Sequence, residues 1–216
     1  NVRSKIINET KWTENVSEIS QNIRDSKYEK VVLAASIALS LENNWNFDNA
    51  FDFLWTNYPE CFLFHINLGN GIFFGASPEL LVRLNENELE TAALAASIAR
   101  GINQNEDLTL AAELLSDQKS KIEHQLVVDS IVDKLKALEL DISVNSVPKI
   151  RKLKNIQHLL TPIYGKPKAD TNIIDLVDRL HPTPAVCGYP ENNAKEIINH
   201  YENFDRGWYG GPIGWV

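Results

Sequence analysis

Leu180-His181-Pro182-Thr183-Pro184-Ala185-Val186-Cys187-Gly188-Tyr189-Pro190 and Phe204-Asp205-Arg206-Gly207-Trp208-Tyr209-Gly210-Gly211-Pro212-Ile213-Gly214-Trp215-Val216 lie in the last quarter of this chain. The first stretch packs three prolines, a histidine and a glycine into eleven residues. Proline fixes φ and glycine opens conformations closed to other residues, so such a loop has one specific backbone path. Loops of that kind build pockets more often than they link domains. Between the two stretches, residues 193–203 read as a short helix rich in charge.

Upstream, 13–27 reads as an amphipathic helix, with Thr13 as N-cap and Val16, Ile19 and Ile23 at helical spacing. Lys30 to Ser40 is a β-rich run, and Phe47 to Trp55 reads helical. Cys61–Asn67 turns through Gly69-Asn70-Gly71 into Ile72–Gly75, a hairpin signature. Residues 80–84 and 88–94 form a further strand pair, turned at Asn85-Glu86-Asn87. Helices are expected at 107–115 and 118–138, the second with a stripe of Ile122, Leu126, Ile131, Leu135 and Leu138. Strands follow at 142–152 and 156–164, and a helix near 171–180 precedes the Pro-rich loop. Strands arranged in hairpins predict a mixed, mainly antiparallel sheet with packed helices, not a βαβ repeat.

Composition narrows the function classes. The chain has 216 residues, 44% of them hydrophobic, enough for the core of one domain. A net charge of −8 without a long basic run speaks against a nucleic-acid partner. No stretch reaches the ~18 apolar residues of a membrane span, and the first residues do not read as a signal peptide. Cys61 and Cys187 have no metal-ligand spacing and are too few for a disulfide framework, so reduced thiols in a cytoplasmic setting are expected. The sequence contains no methionine and stops on an apolar run, so 1–216 is expected to be a single domain incomplete at both ends.

Several residues carry chemical potential. Lys30 opens an apolar strand; it is either a wet strand end or a desolvated amine able to act as a base. Glu79, in Gly75-Ala76-Ser77-Pro78-Glu79-Leu80-Leu81, reads as a first-turn helix acid or as a carboxyl whose pKa a closed site raises. Glu123-His124 reads as a solvated helical pair or as a site edge. Adjacent Glu and His do not project together as zinc ligands at i and i+4 do. His158 is a strand histidine.

Six segments in order resemble the chorismate-utilising enzymes, and among them the isochorismate synthases. They are Lys30-Val31-Val32-Leu33-Ala34, Gly75–Leu81, Thr91–Gly101, Lys119–Val128, Gln157-His158-Leu159, and the Pro-rich loop with Arg206–Val216. The resemblance spans 29–216. The wording Gly207-Trp208-Tyr209-Gly210-Gly211-Pro212-Ile213-Gly214-Trp215-Val216 resembles the menaquinone type most closely.

The resemblance implies an α+β chorismate-binding fold, shared with anthranilate synthase component I, with antiparallel sheets and helices packed outside. It implies an isomerase that adds water at C2 of chorismate and removes the C4 hydroxyl. Lys30 would be the general base, Glu79 the general acid, and Glu123 a ligand of Mg²⁺. Ser97, His158 and Tyr209 would contact the substrate. Chorismate would be the partner, and the protein a monomer or weak homodimer.

Three departures stand out. Ala95 occupies a position where aminodeoxychorismate synthases carry a nucleophilic lysine, which favours water as nucleophile. Ala35 replaces a common arginine. Ala96 replaces the usual glycine, adding a methyl that crowds the substrate or demands altered φ/ψ. The alternatives are an anthranilate synthase component I-like enzyme and a catalytically silent chorismate-binding homologue. Relatives place a second metal carboxylate and a carboxylate-binding arginine after the segment that corresponds to Val216.

Overall fold

A computed structural model describes residues 2–6, 9–25, 28–41, 45–86 and 88–216, with side chains from residue 11 onward. In chain order the elements are β1 (Val2–Ile6), α1 (Glu9–Arg24), β2 (Lys30–Val31), β3 (Ile37–Leu41), α2 (Phe47–Asn57), β4 (Phe62–Asn67) and β5 (Ile72–Ser77). Then come β6 (Arg83–Leu84), β7 (Leu89–Ala99), α3 (Gln104–Ser116), α4 (Gln118–Lys136), β8 (Asp141–Val144), β9 (Lys149–Lys152) and β10 (Ile156–Lys166). The last are α5 (Ile173–Leu180), β11 (Gly188–Tyr189) and α6 (Glu191–Tyr201).

The main sheet runs β6-β7-β10-β8, with β9 also paired to β10. Three two-stranded ladders, β1–β3, β2–β11 and β4–β5, complete the described pairings, and every ladder is antiparallel. The fold is therefore α+β, with antiparallel sheets and helices packed on them.

The core is written in two periods. In β7, Leu89, Thr91, Ala93 and Ala95 alternate inward; in β10, Gln157, Leu159, Thr161 and Ile163 do the same. Small alanines at 93 and 95 let α4 sit close, and its Val127, Val128, Ile131 and Leu135 close that face. Leu176 and Leu180 of α5 join the same cluster. Each such large side chain adds about 1.5–3 kcal/mol by leaving water.

The helical stripe differs from the expectation at its N-terminal end. Ile122 is 63% exposed, and the buried positions are His124, Val127, Val128, Ser130, Ile131 and Leu135. A histidine fills the first buried position, so a purely apolar pattern misses it and shifts the face.

Element boundaries also moved. α1 begins at Glu9, so Thr13 lies inside the helix and does not cap it; the apolar stripe marks only the turns that touch the core. Ser26 and Lys27, the end of the expected helix, lie outside the described residues, as does Asn87 of the expected turn.

The β-rich run 30–40 divides into β2 and β3. Between them the backbone is bonded to loops and side chains instead of a strand. Val32 N donates to Cys187 O at 2.8 Å, Arg206 donates to Val32 O at 2.8 Å, and Ala34 N donates to Glu202 at 2.7 Å. The expected strand 142–152 breaks before Pro148 into β8 and β9, which pair with opposite ends of β10. Pro162 falls in the gap between them, where that edge of β10 has no partner.

Candidate active site

Lys30 owes its place to the Pro-rich loop. β2 pairs with β11, Lys30 opposite Tyr189 and Val31 opposite Gly188. Gly188 sits at φ +144°, and a Cβ there would lie 2.3 Å from Lys30 O and 2.8 Å from Ala194 Cβ. Only glycine permits this approach. The lysine is thereby buried, 8% exposed, with Nζ 3.3 Å from Glu123 Oε1. The wet-end reading of Lys30 does not hold. Burial holds its pKa below the ordinary 10.5, while Glu123 and then Glu79 pull the other way.

Glu79 follows β5 without starting a helix. Its backbone N–H donates to Ser77 Oγ at 3.3 Å, and its Oε1 accepts from Thr183 Oγ1 at 3.4 Å. Thr183 comes from the same Pro-rich loop. Burial pushes the Glu79 carboxyl above its ordinary 4.5, against the Thr183 bond and the Lys30 charge. Lys30 and Glu79 thus shift toward their neutral forms, a free amine and a carboxylic acid.

Glu123, near the start of α4, is half-exposed and faces Lys30. Its neighbour His124 is not solvated: it is 3% exposed, with Nε2 2.7 Å from Thr161 Oγ1 on β10. Burial lowers its pKa, and Lys30 adds to that against the Ala95 backbone and Glu123, so a neutral imidazole is favoured beside the amine.

Ser97 and His158 meet across β7 and β10, Ser97 Oγ 2.8 Å from His158 Nδ1. They sit beside a bulge. Register slips between His158, opposite Ser97, and Leu159, opposite Ala95, so Ala96 is the extra residue. Its φ is +60°, the left-handed region glycine prefers. The altered backbone expected for this alanine is present. The bulge turns Ser97 outward to an exposed position while Ala95 and Ala96 stay buried.

Lys30, Glu79 and Glu123 are therefore gathered in one cluster, and Ser97 and His158 form a second pair three residues along β10 from Thr161. Tyr209 stands apart, 63% exposed, in the turn whose N–H donates to Arg206 O. Arg206 itself serves the scaffold: it donates to Val186 O, Val32 O and the Glu202 carboxylate.

Thr161 and Lys134 carried no local signal. Each acts through a partner more than thirty residues away, His124 and the Pro-rich loop respectively. For His124 the one available clue was its adjacency to Glu123.

The donor chemistry suits a hard cation. Glu123 offers carboxylate oxygens, and no group of three or more His, Cys, Asp or Glu among the described residues forms a closed metal cage. Mg²⁺ keeps several waters and needs only one or two carboxylates plus an anionic ligand.

The sequence compares closely with known proteins. It is 34% identical over 95% of its length to isochorismate synthase MenF of Bacillus subtilis, spanning 44% of that protein. It is 39% identical over 95% of its length to the salicylate biosynthesis isochorismate synthase of Pseudomonas aeruginosa, spanning 43% of that protein. The chain thus spans about half the length of these curated relatives. The solved structure of the menaquinone-specific isochorismate synthase MenF from Escherichia coli superposes with a TM-score of 0.85 at 28% identity, covering 94% of this chain and 48% of that one. The sequence model described as chorismate binding enzyme matches residues 1–216, and the chain belongs to that family.

Proposed function

We propose that the protein is an isochorismate synthase, converting chorismate to isochorismate with Mg²⁺. The observation that carries this reading is one cluster in which buried Lys30 faces Glu123 at 3.3 Å and half-buried Glu79 is held by Thr183 at 3.4 Å, with desolvation there shifting Lys30 downward and Glu79 upward. A neutral amine takes a proton from water as that water adds to C2. A neutral carboxyl gives a proton to the C4 hydroxyl as it leaves. The products balance: one water enters, one leaves, and the ring double bonds shift.

Lys30 supplies the base and Glu79 the acid. Thr183 orients Glu79, and neutral His124, buried beside Glu123, adds no charge near the amine. Ser97, His158 and Tyr209 contact the substrate, the first two from the bulged end of the β7–β10 pair. Glu123 would hold Mg²⁺, which, when bound, offsets the carboxylate charge of chorismate and fixes its pose. Ala95 leaves no amine where covalent amination would require one, which favours water over a lysine nucleophile.

The Gly207–Val216 wording favours supply to menaquinone formation; the relative named as menaquinone-specific is 28% identical and the one named for salicylate biosynthesis 39% identical. No described helix is long and apolar enough to cross a membrane, and a cytoplasmic site of action accords with the free thiols Cys61 and Cys187.

The test incubates the full-length protein with chorismate and Mg²⁺, with and without ammonium, and identifies products by chromatography. Isochorismate in both arms is expected. Anthranilate in the ammonium arm, or no conversion in either, would overturn the assignment.

A further inference from the structure

The geometry points to Lys134 as a positioning residue that clamps the 181–190 loop in the conformation the site needs; the catalytic part of this inference rests on the function proposed above. Lys134 lies eleven residues after Glu123 on α4. Eleven residues make just over three whole turns, so the two side chains leave the same side of the helix about 16 Å apart. One helix thus serves the cluster at one end and the loop at the other.

All three ammonium donors of Lys134 are used. Nζ lies 3.2 Å from Leu180 O, 3.1 Å from Pro182 O and 2.8 Å from Glu191 Oε2. Leu180 ends α5, where carbonyls lack helical partners, and Glu191 starts α6. The cation therefore ties the two helices that bracket the loop to the helix carrying Glu123.

From Pro182 the constraint passes to the site in two steps. The next residue, Thr183, donates to Glu79 at 3.4 Å. The Thr183 carbonyl accepts from Val186 N at 3.2 Å and Cys187 N at 3.1 Å, and Cys187 O accepts from Val32 N at 2.8 Å. Gly188 and Tyr189 then pair with Val31 and Lys30. Moving Pro182 away from Lys134 would shift both the hydroxyl on Glu79 and the strand that seats Lys30. Glu191 also binds Lys195 at 2.7 Å, on the exposed side and away from the loop carbonyls, so that second lysine supplies the control.

The experiment uses full-length protein with Lys134→Met, which keeps most of the aliphatic stem and loses every donor, beside Lys195→Met. Hydrogen exchange is followed by mass spectrometry without substrate, and steady-state kinetics with chorismate. Expected for Lys134→Met is exchange at 183–189 raised about tenfold or more with β7 and β10 unchanged. Turnover should fall about 10- to 100-fold with KM little altered, as for a misplaced catalytic group. Lys195→Met should match the parent in both.

Combined with Thr183→Val, Lys134→Met should cost little more than the worse single change, because both act on Glu79. If Lys134→Met yields no folded protein, Lys134→Gln, with two donors on a shorter stem, should show the same localised pattern to a smaller degree.

Unchanged exchange at 183–189, or a rise spread equally over β7 and β10, overturns the clamp. The exchange arm needs no substrate. A parent protein that leaves chorismate unconverted would sink the functional reading while exchange still decides the role of Lys134.

Discussion

Two buried charge clusters in this protein have opposite characters. Around Asp107, at the start of α3, the carboxylate is fully bonded. Its carboxylate accepts from Arg100 Nε at 2.5 Å, Arg100 Nη2 at 3.1 Å, Lys152 Nζ at 2.6 Å and the Gly101 N–H at 3.1 Å. Those bonds, the Arg100 one first, hold its pKa far below the ordinary carboxylate range. Around Lys30 the contacts are looser: 3.3 Å to Glu123, and 3.4 Å between Thr183 and Glu79. There burial outweighs bonding, and the carboxyl shifts upward. A short, fully bonded carboxylate fixes structure. A carboxyl left under-bonded in a pocket is ready to exchange its proton.

The sharpest break of this contrast is in turnover. Lys30→Ala and Glu79→Gln should each lower turnover by about two to four orders of magnitude, the range for a positioned base or acid. Folding should survive, since each removes a group that resists burial as an ion. Asp107→Asn should do the reverse: it strands Arg100 and Lys152 and lowers Tm, read by calorimetry, while turnover stays near the parent value. A Glu79→Gln enzyme with near-parent turnover, or an Asp107→Asn protein with unchanged Tm, would erase the distinction.

The pH dependence of stability should separate the two carboxyls by sign. Glu79 binds its proton more tightly folded than unfolded, so its contribution is complete below 4.5 and is lost as pH rises through its folded pKa. Asp107 binds its proton more weakly when folded. Its contribution is complete above 3.8 and is lost as pH falls toward its depressed folded pKa. Denaturation curves across pH should lose the first slope in Glu79→Gln and the second in Asp107→Asn. Loss of the same slope in both variants would contradict the assignment.

A smaller effect concerns Glu123. Glu123→Gln should raise the Mg²⁺ concentration for half-maximal activity by about tenfold or more, because a hard cation loses a charged oxygen ligand. An unchanged value would leave Glu123 only as the counter-charge of Lys30.

The two clusters also differ in how far sequence could reach them. The β4–β5 hairpin was legible because Gly69-Asn70-Gly71 is a local turn signal, and the Leu68 N–H does bond Gly71 O at 2.8 Å. The break at Pro148 had a signal that the expected strand 142–152 overrode. The split of 30–40 had none. It depends on Cys187, Glu202 and Arg206, more than 150 residues away, supplying the bonds that a strand partner would otherwise supply.

Lys30, Glu79 and Glu123 could be named only by resemblance to a family; their meeting in space, and the Thr183 and Gly188 contacts that arrange it, are long-range facts. The Asp107 knot was missed altogether, because an aspartate in a first helical turn looks like an ordinary partner of the helix dipole.

The smallest expected effect tests the bulge between the two regions. Ala96 holds φ +60° while 8% exposed. A left-handed conformation costs an L-residue with a Cβ about 1–2 kcal/mol relative to its right-handed form, and glycine escapes most of that. Glycine also has more freedom to lose on folding, which takes back part of the gain. Ala96→Gly should therefore stabilise the protein by roughly 0.5–1 kcal/mol in urea denaturation, at unchanged m-value. The methyl has a second possible consequence, since Ala96 immediately precedes Ser97 at the exposed end of β7. If the methyl narrows the space beside Ser97 and His158, Ala96→Gly should also lower KM for chorismate; if it only strains the backbone, KM should stay constant while stability rises. A loss of stability in Ala96→Gly would mean that packing of the methyl outweighs its strained backbone, and the bulge would then belong with the Asp107 cluster as a feature held for structure.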